Sequence, residues 1–66
     1  MTYTRKATEL DVGVTFVAEG RVWAVKDVGV FTPSKCGNMQ SYTVEAIDGK
    51  TEDFVMLAND LIECVA

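Results

Sequence analysis

The chain has 66 residues and a net charge of −4 at neutral pH, so it holds one domain, residues 1–66, with only a small core. A hydrophobic content of 48% excludes a disordered chain, while so small a core disfavours a deep catalytic cleft. Histidine, the commonest general base and metal ligand, is absent. We therefore expect a protein that is not an enzyme and that has no cofactor and no metal site.

The charges are unevenly distributed along the chain. Residues 1–44 contain five basic and four acidic side chains, whereas residues 45–66 contain six acidic side chains and only Lys50 as a base. An acidic segment repels phosphate, which disfavours nucleic-acid binding. The segment would suit a basic partner, although a charged face that maintains solubility is the simpler interpretation.

Two cysteines, Cys36 and Cys64, and the absence of a signal peptide or a membrane-length apolar run indicate a cytoplasmic protein with reduced thiols and no membrane partner. A Cys36–Cys64 disulfide is the alternative. Two cysteines without histidine do not form a zinc signature.

The first elements are short. Tyr3–Ala7 is predicted as a short strand or a loose arm. Thr8–Asp11 offers a cap-like threonine and acidic residues, which predicts at most a single helical turn. Leu10 and Val12 are expected to close the bottom of the core.

The stretch from Val14 to Phe31 predicts a β-hairpin. Two β-rich runs flank a Glu19-Gly20 turn signal. Val14, Phe16 and Ala18 share one face of the first strand, and we expect this face to point inward.

The second strand of this hairpin has apolar residues on both sides. Trp23 and Val25 are expected to face inward, while Val22 lies on the opposite face. Gly29 interrupts the pattern and predicts a bulge or a sharp bend.

Residues 32–40 form the one clear loop, because Pro33 denies a ladder hydrogen bond and Gly37-Asn38 has turn chemistry. Ser41–Ile47 then predicts a strand with Tyr42 and Val44 on its inner face. Asp48-Gly49 is a hairpin signal, so the chain should return antiparallel.

The C-terminal stretch supports two interpretations. Its apolar residues follow a helical stripe: Phe54, Leu57, Ala58, Leu61, Ile62 and Val65. A C-terminal helix from about Glu52 would place Asn59-Asp60 in its interior, where both residues are poor helix formers. We favour strand–turn–strand, and an α+β fold with this helix stays the alternative.

The pattern L-x-V-G-x-x-F-x-x-x-G-x-x-W-x-V, from Leu10 to Val25, resembles short bacterial and phage proteins with an SH3-like small β-barrel. It covers about a quarter of the chain. The resemblance implies an all-β, five-stranded antiparallel barrel and a setting such as a phage accessory protein. The A-L-Y-D-Y-type segment of eukaryotic SH3 domains and the basic character of KOW-type barrels are absent.

The loop from Phe31 to Met39 is the candidate binding site, because binding residues concentrate in loops on rigid scaffolds. The residues expected to bind are Phe31, Pro33, Ser34, Lys35, Asn38, Met39 and Tyr42. An ordinary connecting loop is the competing interpretation.

The carboxylates Asp48, Glu52 and Asp53 cluster near one turn, but charge in an exposed turn is the usual pattern and does not indicate catalysis. Cys36 lacks a base to activate it and is expected to be a passive thiol. Cys64 is expected to be buried.

Several valines exceed what one small core can bury: Val17, Val22, Val30 and Val55. Surplus apolar residues commonly mark an interface, so we expect a protein-interaction module that forms homo-oligomers. The alternative function is a nucleic-acid-binding barrel, which would use Arg21, Lys26, Lys35 and Tyr42, with Trp23 and Phe31 as stacking aromatics.

Overall fold

Six strands make up most of the chain in the computed structural model, which describes residues 1–66. The strands are β1 (Thr2–Lys6), β2 (Thr15–Ala18), β3 (Arg21–Thr32), β4 (Met39–Ala46), β5 (Thr51–Leu57) and β6 (Leu61–Val65). One 3-10 turn, Ala7–Glu9, follows β1. The fold is therefore all-β, as predicted.

The strands form one antiparallel sheet in the order β1-β6-β2-β3-β4-β5. The sheet has six strands rather than the expected five, because Thr2–Lys6 pairs with the side of β6 that β2 leaves free. The two outermost strands, β1 and β5, do not pair with each other, so the hydrogen-bonded sheet is open rather than a closed barrel.

The Glu19-Gly20 turn joins β2 to β3, and Ala18 pairs directly with Arg21. Both turn residues have positive φ, 54° for Glu19 and 72° for Gly20, as a type I′ turn requires. The Asp48-Gly49 turn likewise returns the chain from β4 to β5. Both predicted hairpins are confirmed.

The long strand β3 bends where Gly29 predicted an irregularity. Its register against β4 shifts between Val25 and Asp27 and again between Val28 and Phe31. A Cβ on Gly29 would overlap the hydroxyl of Ser41. That hydroxyl accepts a hydrogen bond from Val30 N–H at 2.8 Å, so a side chain replaces part of the interrupted ladder.

The core lies on the concave face of the curled sheet. Its buried residues are Leu10, Phe16, Trp23, Val25, Tyr42, Val44, Ala46 and Cys64. The Phe54 ring, on β5, lies 4.8 Å from the Trp23 ring and 6.1 Å from the Phe16 ring, centroid to centroid. Because Phe16 is on β2, three positions away in the sheet, these contacts require strong curling.

The C-terminal stretch is strand–turn–strand, and the helix alternative is wrong. The turn is held by the Asp60 N–H, which donates to the Leu57 carbonyl at 3.0 Å. The Ala7 N–H in turn donates to the Asp60 carbonyl at 2.9 Å, which fastens the N-terminal 3-10 turn to this end of the sheet.

One expectation for the core is wrong, and one buried residue of β4 lies in the segment 32–40 that was predicted as loop. Val12 is exposed rather than buried, so of the two residues expected to close the bottom of the core only Leu10 does so. Gln40 is buried although its side chain is polar, because its amide donates to the carbonyls of Gly29 and Ser41 at the β3 bulge.

Candidate functional site

The predicted binding loop lies at one end of the β3–β4 hairpin. Of the predicted binding residues, Met39 is half-buried and five are exposed: Phe31, Pro33, Ser34, Lys35 and Asn38. The loop folds as a tight turn, since Gly37 N–H donates to the Ser34 carbonyl and Cys36 N–H to the Ser34 hydroxyl, both at 3.2 Å.

Tyr42, the seventh residue of that predicted site, lies in the core and not on the loop surface. Its hydroxyl donates to the Ala7 carbonyl in the 3-10 turn, which covers the ring from the N-terminal side. Burial raises the pKa of Tyr42 above its ordinary value, and a hydrogen bond from the Leu10 backbone N–H lowers it by a smaller amount.

The residues of the nucleic-acid hypothesis do not converge. Arg21 begins β3, whereas Lys35 lies beyond its other end. Lys26 lies 3.9 Å from the Glu45 carboxylate, and the Trp23 and Tyr42 rings are buried. Of the three aromatics only Phe31 is exposed, and of these bases only Lys35 lies in the same loop.

The two cysteines do not form a disulfide, and two of the turn carboxylates accept local hydrogen bonds. Cys36 is exposed and Cys64 is buried, and both are free thiols. Burial raises the pKa of the Cys64 thiol, and the positive charge of Arg5 offsets part of this increase. The Asp48 carboxylate accepts from Lys50 N–H and the Asp53 carboxylate from the Thr43 hydroxyl, each at 3.1 Å. No group of three potential metal-ligating side chains is present.

A groove of about 590 Å³ lies where the sheet fails to close, between β5 on one side and β2 and β6 on the other. Its apolar surface includes Phe16, Phe54, Met56 and Ile62. Its charged residues are all acidic: Glu19, Glu52 and Asp53. The groove follows five consecutive residues of β5, from Glu52 to Met56.

Sequence patterns did not reveal this groove, because it depends on how far β5 approaches β2 and β6. The β2 and β5 segments that line it are separated by more than 30 residues in the chain. The only local signal was the apolar run Phe54–Leu57 directly after two carboxylates.

The second half of β3 is an open edge that is well protected, since β2 pairs only as far as Ala24. Two register shifts twist this edge, and the Asp27 carboxylate accepts from Val28 N–H at 3.0 Å. Pro33 follows the strand directly. Bulges, charges and proline are the usual protections of an edge strand against association.

The β5 edge is protected only over its first half. Glu52 and Asp53 are charged, but the four residues Phe54–Leu57 that follow are apolar. Ala46 N–H donates to the Lys50 carbonyl at 2.8 Å, so Lys50 directs its backbone groups toward β4. In an antiparallel pair every second residue does the same, while the residues between them direct their backbone groups away from the partner strand. It follows that Thr51, Asp53 and Val55 direct their backbone N–H and carbonyl groups to the open side of β5.

Three of the four surplus valines are exposed, as expected. Val22, Val30 and Val55 are exposed, whereas Val17 is half-buried. Val55 is 65% exposed and belongs to the groove, so an apolar side chain and an open strand edge coincide there.

No protein-family model matches this chain, and no curated protein is significantly similar to it in sequence. The structure contains no helix that is long and apolar enough to cross a membrane.

Proposed function

We propose that this protein is a non-enzymatic interaction module that self-associates through the groove and the open edge of β5. The observation that carries this proposal is the apolar run Phe54–Leu57 on a strand that has a partner on one side only. An exposed apolar strand edge is a template for pairing with another chain. Strand addition would satisfy the outward backbone groups of β5 and cover the adjacent apolar surface.

The chemistry of the groove supports binding over catalysis. Its ionisable side chains are three carboxylates at exposed positions, and its remaining lining includes two aromatic rings. Carboxylates divide acid and base roles when their environments differ strongly, which shared exposure does not provide. Free thiols at Cys36 and Cys64 support the cytoplasm as the proposed location.

We also infer that β2–β6 form an SH3-like barrel that stays open beside β5. The support is the placement of Trp23 in the second of these five strands, the bend at Gly29 and the tight turn before the last strand. β1 is then an addition to that barrel.

Sedimentation velocity of the wild type and of Val55→Lys over a concentration series tests self-association at β5. We expect the wild-type mass to rise with concentration, and the lysine variant to remain monomeric because a charge is placed on the apolar half of the edge. Val12→Lys is the matched control, since Val12 is 62% exposed and lies outside the groove. A monomeric wild type at every concentration, or equal effects of both substitutions, contradicts the proposal.

A further inference from the structure

Strand β1 contributes no buried residue to its own fold. All five of its residues, Thr2–Lys6, are exposed, although the strand pairs along its full length with β6. It is also the only strand with two basic residues side by side, Arg5 and Lys6. It therefore presents a five-residue basic edge at the end of the sheet opposite to β5.

The hydrogen bonds of β1 show which backbone groups are free. Ala66 N–H donates to the Met1 carbonyl at 3.0 Å, so Met1, Tyr3 and Arg5 direct their backbone groups toward β6. Thr2 and Thr4 direct theirs to the open side. The Lys6 carbonyl is also free, while its N–H donates to the Glu9 carboxylate.

We propose that β1 of one copy of this protein occupies the groove along β5 of the next copy and continues the sheet from one copy to the other. This inference rests on the proposed function and names the partner of that site. Both edges are open, and the groove follows five residues of β5, which is the length of β1. The charges are complementary, because the groove is acidic and β1 is basic.

The orientation follows from the strand directions. Successive strands in the sheet order are antiparallel, so β1 of the next copy lies antiparallel to β5 and keeps the same face of the sheet toward the core. Tyr3 and Arg5 pair with Cys64 and Ile62, which face the core. They must therefore lie beside the core-facing residues of β5.

Two conditions limit the register: outward backbone groups must meet, and residues of the same face must be opposite. Registers two residues apart meet both conditions. One sets Lys6 opposite Asp53 but Arg5 opposite Phe54, and another sets both Arg5 opposite Glu52 and Tyr3 opposite Phe54. In that register the opposed residues are Thr2 and Val55, Tyr3 and Phe54, Thr4 and Asp53, Arg5 and Glu52, and Lys6 and Thr51. Opposite charges and aromatic pairs at directly opposed positions stabilise a sheet.

The contact is heterologous, since two different edges meet, and assembly can continue past a dimer into a ring or a filament. A symmetric β5–β5 contact would stop at the dimer. The two arrangements also differ in charge, because a β5–β5 contact brings Glu52 and Asp53 of both copies together.

Charge exchange tests the proposal. One variant carries Arg5→Glu and Lys6→Glu, and a second carries Glu52→Lys and Asp53→Lys; all four positions are exposed. Each variant alone has like charges on both edges, and we expect its self-association to be weaker by about tenfold or more. An equimolar mixture restores opposite charges, and we expect it to assemble to masses beyond the dimer. Circular dichroism of each variant confirms that it is folded before mixing.

Each outcome of sedimentation has a defined meaning. A wild type that stays monomeric removes the proposed function itself. A wild type that associates, together with a β1 variant that associates equally well, keeps the proposed function and overturns β1 as the occupant. A mixture that stays monomeric also overturns the pairing of β1 with β5.

Disulfide trapping tests the register while all four charges stay in place. In a Cys36→Ser background, Thr2→Cys mixed with Val55→Cys should give a cross-linked heterodimer under mild oxidation. Thr4→Cys mixed with Val55→Cys is the matched pair for the register shifted by two residues. Preferential trapping of the Thr4 pair would overturn the register that opposes Arg5 and Glu52.

Discussion

Tyr42 links the N-terminal 3-10 turn to the sheet through a single buried hydrogen bond to the Ala7 carbonyl. Tyr42→Phe keeps the ring and removes the hydroxyl, so the buried carbonyl loses its partner. We expect a loss of about 1–3 kcal/mol in the free energy of unfolding, measured by urea denaturation. Tyr3→Phe is the control, because its ring is exposed and its change should stay within about 0.5 kcal/mol. Equal effects of the two substitutions would contradict a structural role for the Tyr42 hydroxyl.

Burial also gives the stability a defined pH dependence. The pKa values of Cys64 and Tyr42 are raised above their ordinary values of 9.0 and 10.0, so the folded protein retains these protons longer than the unfolded chain does. Stability should be complete below the ordinary values and should fall as the pH rises above them toward the folded-state pKa values. Urea denaturation between neutral and strongly alkaline pH measures this decline. In Tyr42→Phe the part that begins near pH 10 should be absent, and an unchanged profile would contradict the assignment to Tyr42.

Gly29 is required by the close approach of β4, not by a left-handed backbone. A methyl group there would overlap the Ser41 hydroxyl and disturb its hydrogen bonds to Val30. We expect Gly29→Ala to cost about 1–3 kcal/mol of unfolding free energy. In a Ser41→Ala background the same substitution should cost less, because the overlapping atom is gone. A double-mutant cycle by chemical denaturation measures the difference, and equal costs in both backgrounds would argue against this contact.

The turn between β2 and β3 has one residue, Glu19, that is unfavourable for its backbone conformation. Glu19 adopts a left-handed backbone conformation, which is strained for residues other than glycine, asparagine and aspartate. Glu19→Asn creates the preferred Asn-Gly type I′ turn, and we expect a gain of roughly 0.5–1 kcal/mol, seen as a higher Tm. Glu19→Gln is the control, since it removes the charge and keeps the strain. A gain of equal size in the glutamine variant would assign the effect to charge instead.

Elements with strong local patterns could be predicted from the sequence. The alternation of Tyr42 and Val44 with polar residues identified β4 and its inner face, and turn chemistry identified both hairpins. β1 could not be assigned with the same certainty, because every one of its side chains is exposed and its pairing depends on β6, nearly 60 residues away. Gln40 could not be recognised as buried, because its partners are carbonyls exposed by a bulge in another strand.

The candidate binding site was harder to predict than the strands. The predicted loop is indeed on the surface, but Tyr42 belongs to the core because the 3-10 turn covers it. The groove arises from the curvature of the whole sheet, and curvature is the sum of twist, two bulges and one bend. None of these quantities is set by the residues of β5 alone.

For the whole molecule, the decisive feature is an open sheet whose two ends differ in charge and in protection. β1 ends the sheet with Arg5 and Lys6, while β5 ends it with an acidic start and an apolar finish. A domain of this size has a thin margin of stability, and association adds to it by mass action. We therefore expect the Tm of the wild type to rise with protein concentration, by differential scanning calorimetry. The Tm of Val55→Lys should not depend on protein concentration. A wild-type Tm that is also independent of concentration would contradict stabilisation by association.

Residue-resolved hydrogen exchange by NMR tests the open β5 edge most directly. In the monomer the N–H groups of Asp53 and Val55 point away from β4, whereas that of Phe54 points toward it. We predict that Asp53 and Val55 exchange fast at low protein concentration and become protected at high concentration, while the protection of Phe54 changes far less. Fast exchange at Asp53 and Val55 at every concentration would contradict the account.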